Sequence, residues 1–118
     1  MNDNTEENGL ENLVREYFSK KYLYEEVKEK MRGNSGQKWT FDAIIQHEDN
    51  QFGVFIKDWN RSVGINQIRL LEKACIDMGF EGGLIIGTDF SDHARNYGRL
   101  KGVQVLSESE LRMKNRFS

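Results

Sequence analysis

Residues 39–59, WTFDAIIQHEDNQFGVFIKDW, read as a strand, a tight turn and a second strand. Phe41, Ala43 and Ile45 alternate with Thr40, Asp42 and Ile44; His47 to Gln51 break the pattern, and Phe52 to Lys57 resume it. Period two puts Asp42 on the face of Thr40 and Ile44, and Lys57 on the face of Phe55 and Gly53. A carboxylate and an ammonium set within two apolar strands are costly unless they pair with each other, with a metal or with a ligand. The hairpin is therefore the candidate site, with Asp42 and Lys57 as its first two residues.

Upstream of the hairpin, residues 1–8 lack apolar periodicity and read as a disordered acidic tail, leaving residues 9–118 as one domain. Leu10, Leu13, Val14, Tyr17 and Phe18 then recur at helical spacing, predicting an amphipathic helix to about Lys20. Tyr22 and Tyr24 alternate as in an edge strand. The segment Arg32 to Lys38, RGNSGQK, is rich in turn formers and reads as a loop that either reverses the chain or lines an entrance beside Asp42.

Downstream, Val63, Gln67, Leu70, Leu71, Ala74, Cys75 and Met78 keep a helical period that stops at Gly79. Leu84 to Gly87 is short, apolar and flanked by glycine, the pattern of a buried parallel strand. Ser91 is an N-cap for a helix whose apolar side is Ala94, Tyr97 and Leu100 and whose stop is Gly102. Val103 to Leu106 is the last strand, and Ser107 with Glu110 has the spacing of a capping box. This order predicts an α/β fold, a central mixed β-sheet flanked by helices.

Composition narrows the function. Net charge is −2, so bulk electrostatics gives no case for nucleic acid. Residues 1–29 carry eight acids against four bases, however, and the remaining body is mildly basic. No apolar run is long enough to span a membrane, and the acidic start lacks the features of a secretory signal, so a cytoplasmic location is expected. The single Cys75 falls in an apolar helical pattern and reads as a buried, inert thiol. The glycines lack phosphate-loop spacing, the two histidines and one cysteine form no zinc set, and no serine lies in a nucleophile elbow.

Gly9 and Glu11 opening the first helix, Phe41-Asp42, the run Ile56-Lys57-Asp58-Trp59, the helix from Val63, Gly83 to Ile86 and the helix start Phe90 to Ala94 together resemble the restriction-endonuclease-like fold. The order is similar to the Mrr-type catalytic domain and to archaeal Holliday-junction resolvases, over about residues 9–111. The resemblance implies the PD-(D/E)xK scheme, in which two acidic positions and a lysine hold Mg2+, or Mn2+, beside a phosphodiester. It implies that Asp42 binds the metal, that Lys57 orients water or stabilises phosphate charge, and that Glu11 is the acid of the first helix.

One position departs. Two residues before Lys57, where the family has glutamate, aspartate or glutamine, stands Phe55, which has no oxygen to offer a hard cation. A replacement would come from Glu11, Glu72 or Gln67. Two functions follow from the resemblance: Mg-dependent hydrolysis of duplex or branched DNA by a homodimer, or a catalytically degenerate nuclease fold that serves as a nucleic-acid-binding or protein-interaction module. Arg32, Asn34, Lys38, Arg61 and Asn66, in loops flanking the presumed cleft, are the candidate DNA contacts. Trp39 and Trp59 read as core or subunit-contact aromatics, and an inherited Asp42–Lys57 ion pair is the structural alternative to a site.

Overall fold

The computed structural model describes residues 9–117; the acidic tail assigned to residues 1–8 lies outside them. The elements are α1 (Gly9–Ser19), β1 (Leu23–Glu26), β2 (Met31–Arg32), β3 (Lys38–Trp39), β4 (Ala43–His47), β5 (Asn50–Lys57), α2 (Ile65–Met78), β6 (Gly82–Gly87), α3 (Asp92–Lys101), β7 (Val103–Ser107) and α4 (Glu108–Arg116). Five strands form a mixed sheet in the order β1-β4-β5-β6-β7; β4 runs antiparallel to both its neighbours, β1 and β5, and β5, β6 and β7 run parallel. β2 and β3 make a separate two-stranded sheet.

Alternation along the strands sends side chains to two cores. Ala43, Ile45, Val54, Leu84, Ile86 and Leu106 pack beneath α1 and α4, against Leu10, Val14 and Leu111. Phe55, Ile85 and Val103 face the other way, toward Ile68, Leu71, Ala74 and Cys75 of α2 and Ala94 of α3. Gly53 belongs to this second face: a Cβ there would run into the Phe41 ring and Cys75 Sγ, so glycine lets Phe41 lie across β5. Cys75 is buried, as expected, and burial pushes its thiol up to about 11.

Helix punctuation follows the sequence. Gly79 and Gly102 end α2 and α3 in the left-handed region, Ser91 Oγ accepts from the Ala94 amide, and Ser107 with Glu110 makes both bonds of the capping box.

Two expectations need correction. The strand expected from Trp39 onward is broken: Lys38–Trp39 belongs to the small sheet, Asp42 sits at a bend, and the main-sheet strand begins at Ala43. The loop expected over Arg32 to Lys38 does reverse the chain, as the turn of a β-hairpin whose end residues, Arg32 and Lys38, pair with each other. Two leucines assigned to apolar helix faces point outward: Leu70 is 43% exposed and Leu100 81%, while Ile68 takes the buried place on α2.

Candidate functional site

The β4–β5 register, which pairs Ala43 with Val54, would set Phe41 opposite Ile56 if it continued. Phe41 has instead turned into the core, and the Asp42 side chain completes the ladder: its Oδ2 accepts from the Ile56 amide at 2.7 Å. The Asp42 amide donates to the Val54 carbonyl at 2.9 Å, and its carbonyl accepts from the Val27 amide at 3.1 Å. Asp42 is thus fixed by three backbone partners, Val54 and Ile56 of β5 and Val27 just after β1, with no further bond to Oδ1 among the described residues.

Two pockets meet at Asp42. One, about 310 Å³, is lined by Gln37, Lys38, Trp39, Thr40, Asp42, Phe55, Lys57 and Leu70. Lys57 shares a face with Phe55, as period two requires, and its Nζ lies 4.7 Å from the centre of the Phe55 ring and 5.6 Å from that of Trp59. Phe55 is 3% exposed and packs against Phe41 with ring centroids 5.9 Å apart. No ion pair joins Lys57 to Asp42 or to any other acid among the described residues. The inherited ion pair is therefore not formed.

The second pocket, about 90 Å³, is lined by Glu11, Tyr24, Glu26, Val27, Lys28, Asp42 and Ile56. It brings Glu11 beside Asp42, with Glu26 added, an acid the sequence reading did not single out. Burial, reinforced by the negative charge of Glu26, Glu11 and Asp42, pushes the Tyr24 phenol far above its usual range. Glu26 is engaged by Arg15, whose Nη1 stands 2.6 Å from Oε2.

The other candidates lie apart from Asp42. Glu72 accepts from Tyr97 Oη at 2.9 Å between α2 and α3, and Gln67 sits in the first turn of α2; neither lines either pocket. Lys38 lines the larger pocket. Arg32 donates to the Gly36 carbonyl within its own hairpin, Arg61 holds its Cζ 4.4 Å from the centre of the Trp59 ring, and Asn66 is exposed on α2.

A residue that no motif marks positions this wall. Asp77, one residue before the end of α2, accepts from Ser35 N at 2.8 Å, Ser35 Oγ at 2.7 Å and Trp39 Nε1 at 2.8 Å. The Ser35 and Trp39 bonds hold its carboxyl below the usual range. The Asn34 amide adds a bond to the Asp77 carbonyl at 2.9 Å. This clamp pins the β2–β3 hairpin to α2, placing Gln37 and Lys38 at the entrance beside Asp42.

A sequence profile described as restriction endonuclease, the Mrr catalytic domain, matches residues 3–113. The chain belongs to this family. The fold agrees: the crystal structure of a protein of unknown function, AF1548, superposes with a TM-score of 0.69 at 17% identity, over 86% of this chain. The chain spans 56% of the length of that protein's crystallised chain. None of the curated protein sequences compared with the chain matches it.

Membership places the chain among restriction-endonuclease-like proteins. Among the described residues, no helix is long and apolar enough to cross a membrane. The family generally uses Mg2+, and the donor set here does not fit that ion. Asp42 is the single acid of the Lys57 pocket, Phe55 stands where a second oxygen is expected, and Glu26 is taken by Arg15. Among the described residues, no three His, Cys, Asp or Glu side chains group so as to hold a metal.

Proposed function

We propose that this Mrr-type domain binds DNA without hydrolysing it. The observation that carries the reading is Phe55: at the position of the missing ligand it is a core side chain, 3% exposed, roofed by the Lys57 ammonium. Lys57 has a ring beneath it instead of a carboxylate, so its charge is available to a phosphate oxygen. Lys38 on the clamped hairpin supplies a second cation at the same pocket. DNA lies along the face that carries both, held by backbone contacts and not by metal.

The test is fluorescence anisotropy of the full chain with labelled duplex DNA at rising salt. Binding should weaken steeply with salt, since displaced counterions set the dependence, and the DNA should be recovered intact with Mg2+ present. Failure to bind duplex or branched DNA at low salt would overturn the reading. A second reading, hydrolysis with Glu11 as a relocated acid, draws on the small pocket that Glu11 shares with Asp42; cleavage lost in Glu11→Gln would favour it.

A further inference from the structure

The pocket around Lys57 has a wall unsuited to phosphate. Contacts to phosphate use cations, hydroxyls and amides, which Lys57, Lys38, Thr40 and Gln37 can supply here, yet the same lining holds the apolar side chain of Leu70, 43% exposed, together with the buried Phe55 and Trp39. An apolar side chain this open, on the one wall of a DNA-facing pocket, meets its match in the face of a base. Asp42 lines the same pocket. Its Oδ2 is taken by the Ile56 amide, its Oδ1 remains, and no second carboxylate in this pocket joins it in holding a cation. A carboxylate so placed disfavours a phosphate laid against it and accepts from an amino group.

Building on the DNA-binding reading above, we infer that the pocket receives one unpaired nucleobase bearing an exocyclic amino group. The base lies against Leu70 with its amino group on Asp42 Oδ1, and the flanking phosphates rest on Lys57 and Lys38. The volume, about 310 Å³, is at the small end of organic-ligand sites. A base stacked inside a duplex offers only its edges, and freeing it costs least where it is already unpaired. The pocket therefore selects DNA carrying a bulged or otherwise unpaired nucleotide. Trp59, half-buried and bracketed by Lys57 and Arg61, extends the same mixed aromatic and cationic surface beside it.

The experiment compares three labelled duplexes in EDTA by anisotropy with the full chain: fully paired, with one extra unpaired cytosine, and with one extra unpaired thymine. The cytosine bulge should bind about tenfold tighter than the paired duplex, from base contact with the wall. The thymine bulge, which lacks an amino group, should keep only about a third of that advantage. Leu70→Asn should bring the ratio of cytosine-bulged to paired affinity close to one. Asp42→Asn should lower that ratio, whereas a phosphate seated at Asp42 would make the same variant bind both duplexes more tightly. Equal affinity for bulged and paired DNA, or tighter binding of both by Asp42→Asn, overturns the inference and leaves the DNA-binding reading standing. Binding to none of the three overturns both.

Discussion

Asp77 and Asp42 are two aspartates on opposite sides of one hairpin wall, and they are used in opposite ways. Asp77 accepts from the Ser35 amide, the Ser35 hydroxyl and the Trp39 indole, which fills its carboxylate with donors. The Asp42 carboxylate accepts from the Ile56 amide alone among the described residues, and Asp42 lines a pocket whose two lysines have no acidic partner among them. A saturated carboxylate is architecture, because nothing remains for a ligand to satisfy. An undersaturated one beside uncompensated cations keeps its capacity for a partner that arrives later. Phe55 sharpens the contrast: it lines the pocket as a core side chain where the family resemblance expects a ligand oxygen.

The largest effect should come from reversing that loss. Phe55→Gln restores an oxygen but removes a ring packed on Phe41, and it should lower unfolding free energy by about 3 kcal/mol or more in urea titration. A near-neutral result would mean that the position still belongs to the site. Next, Lys57→Ala should weaken binding of paired duplex about fivefold and reduce the salt slope by about one, read by anisotropy at several salt concentrations. An unchanged slope would remove Lys57 from the interface and with it half of the comparison. Ser107→Ala, far from both aspartates, should cost about 1 kcal/mol by loss of the capping box and leave DNA affinity unaltered.

The smallest effect is a pH dependence that belongs to Asp77. Its folded pKa lies below its unfolded value of 3.8, so the contribution of the clamp is complete above that value and is lost as pH falls through the lower, folded pKa. Hydrogen exchange at the Asn34 and Ser35 amides, with rates corrected for pH, should accelerate only below about pH 3.8. Asp77→Asn should show faster exchange at the same amides at neutral pH. Asp42→Asn should leave them unchanged, because the amide oxygen of asparagine still accepts from Ile56.

Much of the fold was legible because its signals are local. Ser91, Gly79, Gly102 and the Ser107–Glu110 box each act within one helical turn, and the turn between β4 and β5 falls inside the polar run His47 to Gln51. The break at Asp42 was hidden because Phe41 keeps the alternation of a strand while serving as a core side chain beyond the end of one. Leu70 and Leu100 satisfy a helical period and still face out, since the period does not say which of two adjacent rows meets the sheet. Of the site, Asp42, Lys57 and the missing oxygen at Phe55 could be read from spacing and resemblance. Asp77 could not, because its partners lie 38 and 42 residues away in sequence. The meeting of Glu11 and Glu26 at Asp42 needs the α1 and β1 packing that no short motif records.

Whether the chain cuts what it binds decides between the two readings of the Asp42 pocket. Labelled duplex and four-way-junction DNA should be incubated with saturating full-length chain and Mg2+ or Mn2+, with end products read on a denaturing gel beside Asp42→Ala and Lys57→Ala. The predicted result is DNA bound and intact with the unmodified chain, indistinguishable from both variants. Cleavage by the unmodified chain that disappears in both variants would contradict the account and return the Asp42 pocket to hydrolysis.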